Sequence, residues 1–277
     1  MAQTFSPIRT LLAAFCFSVS CCNLAIAVQP SDNAVPAISF EIIETQDHPA
    51  DFFTQGLLVD GEWIYESSGG YGRSLLAKYK ASNGSALTTK DLPGEIFAEG
   101  LTLLHESLYL LTWKKGRLYQ FDKNWQLQAT HRYAGEGWGL TNDGEQLIVS
   151  DGSDQLRFYQ PEPFTMLHSV TVRGGGKRWD ALNELEYVDG IIWANRWFSD
   201  EILAIDPSSG EVLGVLDFAK VARLFRQGKN GRERVLNGLA WSPSRQAMWV
   251  TGKHWNRRFL IKLPESFTER NVAAARR

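Results

Sequence analysis

The chain has 277 residues, 44% of them apolar, and a net charge of −2 with acid and base mixed along its length. Nothing in that balance supplies the basic face that nucleic acid or an anionic membrane requires, so both are excluded as partners. All three cysteines, Cys16, Cys21 and Cys22, lie near the N-terminus, which leaves residues 28–277 without disulfide, thiolate nucleophile or cysteine metal site.

In chain order, Arg9 precedes an apolar stretch, Leu11 to Ala27, that ends in Ala25-Ile26-Ala27. Small residues at −3 and −1 are what a signal peptidase needs. Residues 1–27 are therefore expected to be a signal peptide cleaved after Ala27, and the protein to be exported, periplasmic or secreted. An uncleaved anchor is the poorer reading, since Ser18, Ser20 and Asn23 interrupt the run. A lipoprotein signal at Cys21 is weaker still, because Ser18 stands where leucine is wanted. Residues 28–37 form a polar, proline-bearing lead expected to be mobile. Ile38, Phe40 and Ile42 then alternate with Ser39, Glu41 and Ile43, which predicts a strand with one strongly apolar face.

From Phe53 onward a short phrase recurs five times with its polar letter changed. It reads Phe53-Thr54-Gln55-Gly56-Leu57, Phe97-Ala98-Glu99-Gly100-Leu101, Gly137-Trp138-Gly139-Leu140, Leu182-Asn183-Glu184-Leu185 and Leu236-Asn237-Gly238-Leu239. Between Gln55, Glu99, Trp138, Asn183 and Asn237 the spacings are 44, 39, 45 and 54. Each copy leads to an apolar run (Trp63–Ser67, Leu108–Trp113, Gln146–Asp151, Ile191–Trp197, Ala247–Lys253) and then to a third run, the last being Phe259–Leu263. Short strands repeating about every 40–50 residues mark a β-propeller. The expected fold is an all-β, five-bladed β-propeller, a single domain over 38–264, with 265–277 a polar tail that is helical or frayed. The fifth repeat stops after its third strand while a strand precedes the first repeat. That N-terminal strand is expected to complete the last blade, closing the ring without an open edge. Asp60-Gly61, Asn83-Gly84, Asn142-Asp143-Gly144, Asp189-Gly190 and Pro207–Gly210 fall where hairpins are required. The one long departure, Phe218 to Val235, carries Lys220, Arg223, Arg226, Lys229, Arg232 and Arg234. It reads as a solvated surface loop, with a substrate-facing flap as the alternative.

The first strand of each propeller blade lines the central channel, so the varied letters converge there. Gln55, Glu99, Asn183 and Asn237 have no packing reason to differ, and similar units presenting different tips describe a built site. Trp113, Trp138 and Trp197 lie in or just after the motifs of three blades and predict an aromatic wall. A carboxyl such as Glu99 beside indole surface should be raised by desolvation, as a general acid/base requires. Lys253 closes the second strand of the fifth blade. The five histidines show no ligand spacing, and no Ser-His-Asp arrangement is visible. The oxygens of Glu99, Asn183 and Asn237 leave a hard-cation site open. Three classes stand on the residues alone: an acid/base enzyme, a non-catalytic peptide- or sugar-binding propeller, and a metal-dependent propeller hydrolase.

One family carries these phrases together. Phe53-Thr54-Gln55-Gly56-Leu57, Tyr65-Glu66-Ser67, Glu99-Gly100-Leu101-Thr102, Leu111-Thr112-Trp113, Glu136-Gly137-Trp138-Gly139-Leu140-Thr141, Ser150-Asp151-Gly152-Ser153, Leu182-Asn183-Glu184-Leu185-Glu186-Tyr187, Ala194-Asn195 with Trp197, Leu236-Asn237-Gly238 and Thr251-Gly252-Lys253 resemble the plant-type glutaminyl cyclases, in order, from about His48 to Leu263. The resemblance implies a five-bladed propeller that converts the N-terminal glutamine of peptides or proteins to pyroglutamate with release of ammonia. By motif it implies catalytic roles for Glu99, Lys253 and Asn183, and substrate contacts from Phe53, Gln55, Phe97, Trp113, Trp138 and Trp197. No metal or other cofactor is required on this reading, a structural ion in the channel stays open, and a monomer is expected. The chain departs from the family pattern at Ala98, usually Gly, and at Asn256, where Pro is common. It also departs after His48, where Pro49-Ala50 replaces Asp-Pro and Phe52 replaces Ala. These put the backbone at Glu99 and the loop entering the first blade in question.

Overall fold

A computed structural model describes residues 1–2, 34–227 and 231–267. Residues 1–2 aside, the segment read as a signal peptide lies outside the described residues, as do 28–33 of the lead and 268–277 of the tail. All the described strands lie within the unit Asn33–Arg277.

Among the described residues, twenty-two strands make five four-stranded antiparallel blades and one small hairpin. The chain enters through β1 (Glu41–Asp47). Blade one follows as β2 (Thr54–Asp60), β3 (Trp63–Ser68), β4 (Leu75–Lys80) and β5 (Thr88–Asp91). Blade two is β6 (Ala98–Leu104), β7 (Ser107–Thr112), β8 (Arg117–Phe121) and β9 (Leu127–Arg132). Blade three is β10 (Leu140–Asn142), β11 (Leu147–Ser150), β12 (Gln155–Gln160) and β13 (Thr165–Thr171), followed by the hairpin β14 (Arg173–Gly174) and β15 (Lys177–Arg178). Blade four is β16 (Leu182–Val188), β17 (Ile191–Arg196), β18 (Glu201–Ile205) and β19 (Val212–Asp217). A single helical turn, α1 (Ala219–Ala222), precedes β20 (Leu236–Ser242), β21 (Ala247–Gly252) and β22 (Arg257–Lys262).

The fifth blade has the order β1-β22-β21-β20, so the N-terminal strand supplies its outer strand as the sequence predicts. Glu41 pairs with Lys262 and Asp47 with Arg257. The described end of the lead is also bonded: Ile38 N donates to Val215 O (2.8 Å) and Val215 N to Pro36 O (2.9 Å), on the outer strand of blade four. The predicted apolar face is shorter than expected. Ile38 is buried and Phe40 stacks on Phe218 (4.4 Å), but Ile42, paired with Ile261 just before a register shift, is exposed.

Alternation along the inner strands explains why five cores form. A strand buried on both faces sends successive side chains to opposite sides. Leu57 and Ile64 pack with Trp249 and Leu260 of blade five. Their neighbours Leu58 and Tyr65 pack with Leu101 and Leu108 of blade two. The same split recurs around the ring at the two-three, three-four and four-five interfaces. Each fully buried Leu or Ile contributes about 1.5–3 kcal/mol over exposure, so the blades hold by mutual burial and need no disulfide.

The excursion after β19 is not simply solvated. Phe218, Ala222 and Phe225 are buried in the blade four–five core, and Phe225 stacks on Trp255 at 4.2 Å. Arg226 pairs with Asp200. Lys220, Arg223, Leu224, Gln227 and Arg232 are exposed, as the solvated-loop expectation has it.

Candidate active site

Two repeated local devices put the site together. The first is a β-bulge, which re-aims a side chain. Pairing of the first and second strands shifts register between Thr54 and Gly56, Ala98 and Leu101, Leu182 and Leu185, and Leu236 and Leu239. Gln55, Glu99, Asn183 and Asn237 sit inside those four shifts, and all four are buried. The second device is one backbone hydrogen bond. Just past the second strand, the N–H of Gly69, Trp113, Trp197 and Lys253 donates to the carbonyl of Phe53, Phe97, Ala181 and Val235, at 2.9, 3.1, 2.7 and 2.8 Å. Each acceptor stands two residues before a varied letter, so the channel residue and the residue at the end of the second strand are set as a pair. Blade three reverses the bond: the varied residue Trp138 donates its N–H to the carbonyl of Ser150, the last residue of the second strand (2.9 Å).

Neighbouring blades lock these phrases together near the axis. Ser67 Oγ donates to Glu99 O (2.5 Å) and Ser150 Oγ to Asn183 O (2.7 Å). Asn195 Oδ1 accepts from Gly238 N (2.9 Å), and Asn237 Nδ2 donates to Thr54 O (2.9 Å). A Cβ on Gly56 or Gly100 would lie 2.3 Å from the backbone nitrogen of Leu101 or Leu140, and on Gly139 1.8 Å from Asn183 O. Only glycine permits that approach. Blade four carries Glu184 at the matching position. Its carboxyl accepts N–H bonds from Leu239 (2.8 Å) and Leu57 (3.4 Å), tying blade four to blades five and one.

All nine residues singled out from the sequence meet at one cavity of about 250 Å³: Phe53, Gln55, Phe97, Glu99, Trp113, Trp138, Asn183, Trp197 and Lys253. Asn237 holds backbone beneath it and does not line it. The structure adds two residues that sequence reading missed, Arg73 and Glu233. Both are exposed: Arg73 follows β3, and Glu233 arrives on the 218–235 excursion. No repeat letter marks either one. Ala98 and Phe52, the departures that raised doubt, pack without exposing the site: Ala98 pairs with Thr112 in the β6–β7 ladder, and Phe52 fills the blade one–five core.

Glu99 and Lys253 are 5% and 3% exposed. Among the described residues they approach no closer than the 4.0 Å limit of an ion pair, and neither side chain hydrogen-bonds to protein. Burial pushes the Glu99 carboxyl well above the usual carboxylate range; the Lys253 charge opposes the rise and Glu136 adds to it. Burial brings the Lys253 amine down to about 8, against the pull of Glu99. Lys253 Nζ also lies 4.7 Å from the Phe53 ring centroid. Gln55 Oε1 and Asn183 Oδ1 are buried without a partner. A cavity with an acid, an amine and two amide groups still unpaired offers proton transfer and charge stabilisation to a guest. Among the described residues, no three His, Cys, Asp or Glu side chains converge as a metal site.

A model of the glutamine cyclotransferase family matches residues 13–263. A glutaminyl-peptide cyclotransferase of Arabidopsis thaliana is 36% identical over 230 residues, covering 82% of this chain and 72% of that protein. The crystal structure of Myxococcus xanthus glutaminyl cyclase superposes with a TM-score of 0.75 at 36% identity, over 83% of this chain and 98% of that one. The five-bladed ring, a site assembled from the repeated phrases and these matches lead to one conclusion: the chain belongs to the glutamine cyclotransferase family.

Proposed function

We propose that this protein is a glutaminyl-peptide cyclotransferase acting on peptides and proteins that begin with glutamine. The observation that carries the reading is the buried Glu99 and Lys253, both unpaired and facing one cavity walled by Phe53, Phe97, Trp113, Trp138 and Trp197. The α-amine nitrogen attacks Cδ of its own side-chain carboxamide, a tetrahedral centre forms, and the C–N bond to the amide nitrogen breaks to release ammonia and leave a five-membered lactam. Because attack is intramolecular, the site's main tasks are to hold the cyclising rotamer and to move one proton. Glu99 takes that proton from the α-amine and returns it to the leaving nitrogen. Lys253 and the Asn183 amide face the developing oxyanion. Gln55 orients the carboxamide, and the aromatic rings exclude water and pack the methylenes. No cofactor enters this scheme.

The test is ammonia release and peptide mass with a short Gln-initiated peptide, with and without chelator. Chelator-resistant loss of ammonia from the first residue supports the reading; a folded protein without turnover returns it to a binding propeller, and chelator-sensitive turnover to metal chemistry. We propose export as well, to the periplasm or beyond, on the Ala25-Ile26-Ala27 cleavage pattern. An exported protein whose sequence begins at Val28 supports this, and one retained with Met1 refutes it.

A further inference from the structure

The aromatic wall is built in two runs. In the first, Trp113 packs on Phe97 (5.3 Å) and Phe97 on Phe53 (6.2 Å), from blades two and one. In the second, Trp138 meets Trp197 edge-on (5.1 Å), and Trp197 stacks on Phe198 (4.5 Å), from blades three and four. Among the described residues no ring contact joins the two runs. One carboxylate oxygen does: Glu136 Oε2 accepts the indole N–H of Trp113 (2.7 Å) and that of Trp138 (3.0 Å).

We infer that Glu136 is a positioning residue for the cyclisation, clasping two indoles from neighbouring blades and so fixing the width of the cavity in which the glutamine side chain must fold back on itself. A carboxylate oxygen has the lone pairs to accept both N–H groups, and charge-assisted bonds at this length hold geometry firmly. The clasp is itself braced. Gly137 N donates to Trp113 O (3.1 Å), and a Cβ at Gly137 would collide with Tyr133 Oη, whose hydroxyl donates to Thr112 O (2.5 Å). Lys114 lies over the Trp113 ring at 4.0 Å, with Nζ 3.9 Å from Glu136 Oε1. Ring closure needs the amine within attacking distance of Cδ, and the spacing of two flat apolar walls is what selects that rotamer over the extended ones. The negative charge of Glu136 also acts on Glu99, opposing its ionisation. This role rests on the cyclisation reading; the indole bridge does not.

The experiment uses the full chain carrying Glu136→Gln or Glu136→Ala. Indole N–H resonances of Trp113 and Trp138 are assigned through their Trp→Phe variants, and kcat and KM are followed against pH with a Gln-initiated tripeptide. In Glu136→Ala both indole resonances move together, KM rises about tenfold and kcat falls about tenfold or more, the cost of a misplaced reacting group. In Glu136→Gln one accepting oxygen remains, so much of the KM loss is recovered. In both variants the acid limb of kcat moves to lower pH, because burial still raises Glu99 but the charge of Glu136 no longer adds to it. The inference is overturned if the indole resonances stay in place, or if they move while kcat, KM and the acid limb keep wild-type values. Should Glu136→Ala fail to fold, Glu136→Gln decides instead: its neutral, weaker acceptor must still displace both indole resonances, and resonances that stay in place overturn the inference equally. A wild-type protein without turnover, its resonances displaced in Glu136→Ala, would sink the cyclisation reading and this role with it while leaving the bridge standing.

Discussion

Burial acts on Glu99 and Lys253 in opposite chemical senses and to one end, moving an acid up and an amine down, which narrows the gap between them and makes exchanging a proton less costly. Glu99→Gln keeps the shape and removes the base; kcat should fall by about 10³-fold with melting temperature and circular dichroism near wild type. Near-normal turnover would remove Glu99 from its assigned role. Lys253 loses its charge as pH rises through about 8, so kcat should decline there. Lys253→Met should lower kcat and erase that falling limb, and a limb that persists in the variant belongs to another group. At this scale the sequence was most legible where a repeat let one letter vary among constant neighbours, which is how Gln55, Glu99 and Asn183 stood out. Arg73 and Glu233 were illegible because a turn and an excursion carry them to the cavity, with no repeat to compare them against. The reach of Glu184 across to Leu57 and Leu239 left no trace either, since a buried structural acid and a catalytic one are spelled alike.

Among the elements, the inner three strands of each blade could be read from their apolar runs; of the outer ones only β1 was, by its alternation. β5, β9 and β13 are largely exposed and polar, so neither composition nor burial separates them from loop. The turn between β6 and β7 was missed for a different reason: His105 and Glu106 take positive φ (49° and 64°) where the pattern looks for glycine. The bulges were hidden too, since a single extra residue changes register without changing composition. What the sequence does record of three of them is the glycine beside the varied letter, and blade three keeps that glycine, Gly139, without a bulge. Gly139→Ala would drive a methyl into Asn183 O, part of rigid backbone, and the blade three–four junction should open at a cost of several kcal/mol. Gly61→Ala has open space and pays only for φ of 61°, about 1–2 kcal/mol. Urea melts of the two variants check the ranking, and equal midpoints would refute the steric account.

Taken whole, the ring is sealed between its first and last blades by more than strand pairing. His48 Nδ1 donates to Trp255 O (2.8 Å), and Nε2 lies 3.1 Å from the Glu66 carboxylate, which also accepts from Thr54 Oγ1 (2.6 Å) and Tyr79 Oη (2.7 Å). Burial alone would lower His48 and raise Glu66, but their mutual charge and hydrogen bonds outweigh it, so His48 ends above its ordinary 6.5 and Glu66 below its ordinary 4.5. Stability from Glu66 is complete above 4.5 and lost as pH falls through its depressed value. Stability from His48 is complete below 6.5 and lost as pH rises through its raised value. The pair therefore contributes most between those limits. Breaking it by His48→Gln should cost about 3–5 kcal/mol there and less at alkaline pH. Melting temperatures across the pH range test this, and a gap that does not depend on pH would exclude the pair as its source.

The closing strand also sets the order in which the molecule can be finished. Of the described strands β1 is the first a ribosome delivers, yet its partner β22 is the last, and Glu41 waits for Lys262, 221 positions further along (262 − 41). Closing so long a loop is an entropic cost met only at the end, which makes completion slow and all-or-none. Antiparallel pairing leaves the end of β22 beside the start of β1, so a short turn could join them. Moving residues 41–47 behind Leu263 would convert the most distant contact in the ring into a local hairpin. Such a permuted chain should refold faster than the natural one to the same blades; an unchanged rate would mean that some other junction is the last to form.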